Sequence, residues 1–431
     1  MTSATYTGEF DPFSPEAMDD PYPAYAELLR HEEPLYLEQR DMWLVIRYDH
    51  VRAAAKDHPG LSSAEGIAYH RSALPVLFGI DQPDHTRLRG LIRQAFSPRG
   101  VQVWRTFIER ACGELLDEAL AMGDVDIVQQ AMIPLPVRVI TTIVGVPGDD
   151  LTTLKLTAGV LESFIPNARV GPRAELEPDD PAESALRLKA AKQTLSAVAG
   201  LTGFLRGVLE QRRAQAPRGD LVSKLFVVAQ DRVSEDEILW LCLTLLVGGQ
   251  ETMTHFLGSM VDALLHHPDQ FRMVRERPDL IPATIEETAR FYPAVQNVFR
   301  TATTDVVVGN TRIPRDARVE LSFAAANRDP RRFPDPNQYR IDRVTDGHLG
   351  FGAGIHTCVG AHLARLQAAT FLRLLIERTD DIELIGELVK VQSPAFRGLD
   401  HLPLRLTPKS GSGEPAGADG RAGTSRAGES E

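Results

Sequence analysis

Apolar side chains recur at helical spacing along most of the chain, and they alternate with polar side chains in only a few short stretches. Helical spacing is clearest in residues 88–96 and 363–376, where apolar residues three and four positions apart share one face. Strand-like alternation occurs in residues 34–49, 305–323 and 382–408, with turns at Arg40-Asp41 and Gly309-Asn310. The pattern predicts a mainly helical protein with small β-sheets, in the α+β class.

One predicted helix is much longer than the others. Ser234 and Glu237 form a capping-box start, and no proline interrupts the pattern until about His267, which gives a rod of roughly 50 Å. The first half is apolar on nearly every face, so the helix should pass through the core.

The middle of this helix reads GGQETMT, which is unfavourable in a buried helix. Gly248 and Gly249 weaken the helix, and the pair Glu251-Thr252 needs polar partners if it is buried. Two interpretations remain at this point. The helix is kinked and its polar pair is capped locally, or a flat group lies against the glycines and faces the polar pair.

Composition restricts the class of protein. The formal net charge of -12 argues against a general nucleic-acid binder and against a partner of anionic membranes. Cys112, Cys242 and Cys358 are too far apart to form a disulfide framework, which is typical of a reducing compartment. The longest apolar run, residues 238–249, is shorter than the ~20 residues of a membrane-spanning helix. We expect a soluble cytoplasmic protein with a disordered tail at residues 409–431.

The stretch FGAGIHTCVG surrounds Cys358 with glycines at 352, 354 and 360. Such glycines allow a positive φ and let the backbone approach a bulky planar group. A helix starts after the cysteine, so its N–H groups and dipole are expected to stabilise a thiolate and lower the pKa of Cys358. A thiolate in this loop suits metal ligation. A small buried hydrophobe, a nucleophile, and a zinc site with His356 and His362 are the alternatives, although this spacing is not typical of structural zinc.

The same stretch resembles the cysteine loop of the cytochrome P450 family, the haem-thiolate monooxygenases. The family pattern Phe-x-x-Gly-x-(His/Arg)-x-Cys-x-Gly is matched by Phe351, Gly354, His356, Cys358 and Gly360. Four other segments resemble family motifs in the expected order: residues 81–99, 248–253, 286–290 and 326–343. The resemblance extends from about Asp11 to Pro408, and it implies a single-domain cytochrome P450 fold over residues 1–408.

The resemblance implies a role for each motif. Cys358 would be the axial iron ligand of haem b, with Phe351, Gly352 and Gly360 in the surrounding loop. Glu251 would relay protons, and Thr252 would hydrogen-bond dioxygen and organise water. Gly248 and Gly249 would leave room for dioxygen, although relatives often have alanine at the first position. The expected haem-propionate partners are His85, Arg89, Arg300 and His356, and the expected buried ion pair below the haem is Glu287 with Arg290. We expect His255 to be a satisfied core or surface histidine rather than a relay member.

The implied reaction is insertion of one oxygen atom from dioxygen into a small or mid-sized, mainly hydrophobic substrate, with hydroxylation as the expected outcome. Such a reaction would fit natural-product biosynthesis or catabolism. The chain carries no dinucleotide or flavin fingerprint, so electrons from NAD(P)H would arrive through a ferredoxin and its reductase, docked at Arg93, Arg99 and Arg105. The expected substrate contacts, each of which could equally be core, lie in residues 66–80 and 160–166 and at Leu243, Val247, Val295, Val298 and Phe396.

Two competing functions remain. A peroxide-driven peroxygenase on the same fold would typically lack the acid-alcohol pair, and Glu251-Thr252 is present. A non-catalytic haem-binding or carrier-recruiting relative would usually lack part of the motif set, and here every essential motif is present.

Overall fold

A computed structural model describes residues 5–6, 8–71, 73–147, 181–228 and 233–410 of the chain. The helices of these residues are α1 (Pro15–Asp19), α2 (Tyr22–Leu28), α3 (Tyr48–Ala54), α4 (Asp84–Arg93), α5 (Pro98–Gln102), α6 (Arg105–Met122), α7 (Pro134–Val144), α8 (Pro181–Arg213), α9 (Leu221–Val228), α10 (Glu235–His266), α11 (Pro268–Glu276), α12 (Ile281–Phe291), α13 (Phe323–Ala326) and α14 (Ala361–Arg378). The predicted predominance of helices is confirmed.

The strands are short. They are β1 (Thr5–Tyr6), β2 (Leu35–Leu37), β3 (Met42–Val45), β4 (Leu61–Ser62), β5 (Asp124–Asp126), β6 (Asn297–Ala302), β7 (Val306–Val308), β8 (Thr311–Ile313), β9 (Arg318–Ser322), β10 (Thr379–Leu384), β11 (Val389–Lys390), β12 (Leu399–His401) and β13 (Pro403–Pro408). The largest sheet has the order β1-β2-β3-β9-β6-β4, and the smaller sheets have the orders β10-β13-β5, β11-β12 and β7-β8. The predicted turns are confirmed, with Asp41 at φ 47° before β3 and Gly309 at φ 63° between β7 and β8.

The central helix α10 begins as its sequence predicts. The Glu237 N–H donates to the Ser234 hydroxyl at 3.2 Å, and the Ser234 N–H donates to the Glu237 carboxylate at 2.8 Å. The helix then continues unbroken through Gly248 and Gly249 to His266. Most of its side chains are buried, and α7, α8 and α12 pack against it, so α10 is the axis of the main core.

The cysteine loop leads directly into α14, which packs against α6 and α12. Inside the loop, the Cys358 N–H donates to the Phe351 carbonyl at 2.8 Å. Gly354 has φ 72°, and a Cβ at this position would collide with the carbonyl oxygen of Ala55. The loop is therefore fixed against α3 by a close backbone contact that only glycine allows.

Within the described ranges, no helix combines the length and the apolar character needed to cross a membrane. The expected substrate segment 160–166 and residues 411–431 of the expected tail lie outside the described residues.

Candidate active site

Cys358 has solvent-accessible surface on one side, although protein atoms surround it on the others. The residue is exposed, whereas Cys112 and Cys242 are buried. The pKa of the Cys358 thiol is raised because the surrounding protein desolvates it, while the Gly360 N–H, Arg89 and Arg365 act in the opposite direction. The expected net lowering of this pKa is therefore wrong for the protein groups alone, although the expected N–H contribution is present.

The glycines around Cys358 serve different purposes. Gly352 and Gly354 have φ values of 71° and 72°, as their placement in the loop predicts. Gly360 has φ -81°, so the expectation of a positive φ is wrong there. Gly360 instead precedes α14, and a Cβ on it would lie 3.8 Å from the Cys358 sulfur. This glycine keeps the surroundings of the sulfur open.

Three separate elements bring His85, Arg89, Arg300 and His356 to the edge of the cysteine loop. The rings of His85 on α4 and His356 in the loop have centroids 4.5 Å apart. Arg89 donates to the carbonyl of Thr357 at 2.5 Å, and His356 Nε2 lies 3.2 Å from the Ser63 hydroxyl. Arg300 enters from β6 and is buried, with one guanidinium N–H donated to the Phe299 carbonyl at 2.7 Å.

The described residues provide no carboxylate partner for the charged side chains of this cluster. Both ring nitrogens of His85 and Nδ1 of His356 are buried without a hydrogen-bond partner in the described part of the chain. Burial lowers the pKa of His356 to about 3, with Arg300, His85 and Arg89 adding to the effect, and it lowers the pKa of Arg300 to about 10. No ion pair joins any of the four to a carboxylate among the described residues. The cluster is thus suited to receive carboxylates from a bound group.

On α10, the two glycines of the motif differ in their surroundings. Gly248 is exposed on a mostly buried helix, and apart from its chain neighbours and the backbone of its own helix no described atom lies within 4 Å of a Cβ built on it. A Cβ on Gly249 would instead meet Ile140 of α7 at 3.0 Å. The expectation that both glycines leave room for dioxygen is corrected: Gly248 opens the space, and Gly249 permits close packing of α10 on α7.

Thr252 and Glu251 follow these glycines and are only partly buried. The Thr252 hydroxyl donates to the Gly248 carbonyl at 2.6 Å. Because its proton is used there, the hydroxyl oxygen remains available as an acceptor. The Glu251 Oε2 atom has no hydrogen-bond partner among the described residues.

His255 lies beside Glu251, one helical turn further along. Its Nε2 atom is 3.4 Å from Glu251 Oε1, and the histidine side chain is 6% exposed. The expectation of a core position is confirmed, but the expectation that the ring is satisfied is wrong, because neither ring nitrogen has a hydrogen bond in the described part of the structure. A Cβ on Gly398 would collide with the ring, so this glycine makes room for it.

The pair Glu287–Arg290 is completely buried, with 0% exposure of both side chains. Two N–H groups of Arg290 donate to the carboxylate at 2.7 Å each. The other contacts come from residues 326–343, including the carbonyls of Asn327 and Pro336 and the N–H of Arg340. The motif therefore ties α12 to the segment that precedes the cysteine loop.

A second contact that fixes the cysteine loop, centred on Glu286, was not predicted from the sequence. Glu286 accepts two hydrogen bonds from Arg365 and lies 2.9 Å from His348 Nε2. These hydrogen bonds and charges outweigh burial and lower the pKa of Glu286 to about 2. The position of Glu286 directly before Glu287 was the only signal in the sequence.

The residues expected to contact substrate fall into two groups, because Leu243 and Val247 share the main core and Val295 packs against the core that contains Val298. Leu243 and Val247 are buried in the main core, and Val298 is buried in a second core under the large sheet. Val295 and Phe396 are half-buried and joined by an isolated β-bridge. Burial of Leu243, Val247 and Val298 fits both interpretations, pocket lining and core, so the substrate contacts stay a prediction.

A cavity of about 790 Å³ lies on the cysteine side of the loop. Arg89, Arg93 and Arg365 line it, together with Phe351 and Cys358, and α10 contributes no residue. Arg93, Arg99 and Arg105 are all exposed, as expected. This cavity is therefore distinct from the space at Gly248.

Comparison with known proteins gives consistent results. The cytochrome P450 family model matches residues 177–380. The beta-dihydromenaquinone-9 omega-hydroxylase of Mycobacterium tuberculosis is 36% identical over 93% of this chain and 79% of its own length. The cytochrome P450 monooxygenase PikC of Streptomyces venezuelae is 35% identical over 90% of this chain and 91% of its own length. The crystal structure of CYP109E1 from Bacillus megaterium in complex with testosterone matches with a TM-score of 0.81 at 28% identity, covering 91% of this chain and 99% of that one.

Fold and motifs together define an oxidoreductase of the monooxygenase class. The chain belongs to the cytochrome P450 family. The family's cofactor is haem, and its members use redox partners and dioxygen to oxidise organic substrates. The residues of this chain fit haem: a cysteine at open space, two arginines and two histidines beside it without a carboxylate partner in the described residues, and a helix with an exposed glycine.

Proposed function

We propose that this protein is a haem-thiolate monooxygenase that hydroxylates a mainly hydrophobic organic substrate, and that Cys358 is its iron ligand. The observation that carries the proposal is the cluster of His85, Arg89, Arg300 and His356. His85 and Arg300 are buried and Arg89 and His356 half-buried, and none has a carboxylate partner among the described residues. This arrangement is unfavourable unless a bound group supplies negative charge. Two propionates beside a cysteine ligand meet that requirement.

Haem with a thiolate ligand supplies activation of dioxygen when it is bound. The residues of α10 would then handle protons and water. The Thr252 hydroxyl donates to the Gly248 carbonyl, so it offers an acceptor to a protonated group or water in the adjacent space. Glu251 carries a free carboxylate oxygen one residue away, which is suited to passing protons toward that hydroxyl.

The substrate class follows from two lines of support. The relatives' names refer to a dihydromenaquinone and to testosterone, both with large apolar parts. In this chain, half-buried apolar side chains at Leu74, Phe78 and Ile80 lie in the loop that reaches α10. We propose a mid-sized apolar substrate with few polar groups.

Electrons would come from NAD(P)H through a ferredoxin reductase and an acidic ferredoxin in the cytoplasm. The exposed arginines near the cysteine-side cavity support this choice, because an acidic partner would dock there close to the cysteine loop. We assign the whole activity to one domain, residues 1–408.

The test is spectroscopic. The reduced protein with carbon monoxide should show the strongly red-shifted absorption of thiolate-ligated haem. Cys358→Ser should abolish that absorption, whereas Cys112→Ser, a substitution at a buried free cysteine, should preserve it. An unchanged spectrum in Cys358→Ser would contradict the assignment. Faster turnover with hydrogen peroxide than with a ferredoxin system would favour the peroxygenase alternative.

A further inference from the structure

Thr244 is a polar residue in the most buried part of α10. Its side chain is nearly inaccessible to solvent, and its hydroxyl donates to the Trp240 carbonyl at 2.7 Å. The same hydroxyl oxygen accepts the backbone N–H of Leu77 at 3.0 Å, and this bond is also buried. A threonine in a helix interior is usually satisfied within its own helix, so the second bond is a specific link to another segment.

The linked segment is the end of the loop at residues 66–80. Leu77 begins a single 3-10 turn, Leu77–Gly79, which packs against α10. The N–H of Leu77 has no backbone acceptor among the described residues, because Leu77 starts the turn rather than continuing a helix. Without the Thr244 hydroxyl, a buried backbone donor would be left unsatisfied.

The other end of this loop is held separately. Arg318 of β9 donates to the carbonyls of Gly66, Ala68 and Tyr69, and the Phe299 N–H donates to the Ile67 carbonyl. The half-buried side chain of Leu74 lies between these anchors and the Thr244 link, and that of Phe78 lies in the linked turn itself. The hydrogen bond from the Leu77 N–H to the Thr244 hydroxyl thus fixes the end of the loop that contacts α10.

The link lies next to the open space on α10. Thr244 and Gly248 are four residues apart, so they share one face of the helix at a separation of about 6 Å along its axis. The turn at Leu77–Gly79 is therefore attached to α10 one helical turn before the space that Gly248 opens. A displacement of this turn would change the width of that space directly.

We propose that Thr244 is a positioning residue that holds the Leu77 turn against α10 and thereby limits the size of molecule admitted beside Gly248. The size limit rests on the proposed function, because it concerns the substrate space of the haem enzyme. The link itself is a property of the fold and can be measured independently.

Hydrogen exchange of the holoenzyme measures the link. In Thr244→Val, which keeps the shape and removes the hydroxyl, exchange of the Leu77 amide should accelerate about tenfold. Thr244→Ser retains the hydroxyl and should restore protection. Thr254→Val is a matched control on the same helix, since the buried Thr254 hydroxyl donates to the Met132 carbonyl at 3.0 Å and does not contact the loop. It should leave Leu77 exchange unchanged.

Optical titration with two azoles measures the size limit. Imidazole and 1-tritylimidazole both bind haem iron through a ring nitrogen but differ greatly in bulk. Freeing the turn should raise the population of wider conformations, so Thr244→Val should bind 1-tritylimidazole about fivefold tighter, with imidazole unchanged. Thr244→Ser and Thr254→Val should match the unsubstituted protein.

Unchanged Leu77 exchange in Thr244→Val would overturn the link, and an unchanged ratio of the two azole affinities would overturn the size limit. Equal effects in Thr254→Val would also overturn the proposal, since they would reflect general destabilisation. A protein that binds neither azole would contradict the haem assignment instead, while Leu77 exchange would still report on Thr244.

Discussion

Buried polar side chains without a hydrogen-bond partner occur in two contrasting settings in the described part of the chain. His85 and His356 lie at the cysteine loop and Glu251 lies near Gly248 on α10, where a bound group or water can provide partners. Glu320 has neither oxygen paired and lies on β9 between Phe299 and Leu44 of the neighbouring strands. The first setting indicates a functional site, whereas the second carries a cost in stability.

That cost makes stability depend on pH. Burial raises the pKa of Glu320 from 4.5 to about 8. The folded state then binds a proton that the unfolded chain releases, so stability falls as pH rises from about 4.5 to 8. Glu320→Gln keeps the shape of the neutral acid and should remove this loss. We expect a gain of roughly 4–5 kcal/mol at pH 8.5 and little change at pH 5, measured by thermal unfolding.

Glu383→Gln is the matched control, because Glu383 lies on strand β10 with its side chain 61% exposed. The change in stability caused by Glu383→Gln should be the same at pH 5 and at pH 8.5. If Glu320→Gln shows no larger gain at pH 8.5 than at pH 5, the carboxyl is ionised in the fold and our interpretation is wrong.

At the scale of elements, two helices carry the same Glu-x-x-Arg spacing with opposite consequences. Glu27 in the last turn of α2 pairs with Arg30, two residues beyond that helix, and Glu287 pairs with Arg290 within α12, both at 2.7 Å. The first pair is 64% and 75% exposed, and the second is 0% exposed. Spacing alone does not distinguish them, since burial depends on residues 326–343 folding over α12.

Removing the arginine should therefore lower stability strongly in the buried ion pair only. Arg290→Ala removes both Arg290 hydrogen bonds from the buried Glu287 carboxylate, which keeps only Arg343 at 3.3 Å and the Arg340 N–H. It also leaves three backbone carbonyls without their Arg290 donor, so we expect a loss of about 3–5 kcal/mol or a failure to fold with haem. Arg30→Ala should change stability little, since exposed pairs contribute little. Thermal unfolding and haem content per chain are the measurements. Equal stability of Arg290→Ala and the unsubstituted protein would contradict this account.

The features that the sequence predicted well depend on residues close together in the chain. The capping box at Ser234, the turn at Gly309 and the run of α10 each depend on a few neighbouring positions. The features it missed depend on contacts between distant segments. Gly249 is needed because of Ile140, and His255 fits because Gly398 leaves room. Neither relation has a signature in local spacing, and no motif links Thr244 to Leu77.

At the scale of the whole molecule, the charge is unevenly distributed. The formal net charge is -12, yet arginines concentrate around the cysteine-side cavity. Arg365 is neutralised by Glu286, whereas Arg93 and Arg99 form no ion pair among the described residues. Val103 and Val344, 71% and 79% exposed, lie in the same segments as these arginines and the cavity lining. Unpaired cations with exposed apolar side chains are typical of a docking surface.

This surface leads to a prediction about electron delivery. Charge reversal by Arg93→Glu with Arg99→Glu should slow reduction by an acidic ferredoxin about tenfold at low salt, because the attraction that guides encounter becomes repulsion. The difference should shrink as salt screens the charges. Stopped-flow reduction of the haem is the measurement, and azole affinity should stay unchanged because the cavity is separate from Gly248. Arg206→Glu, on α8 and outside the cavity lining, is the control. Equal reduction rates in all variants would place the docking surface elsewhere.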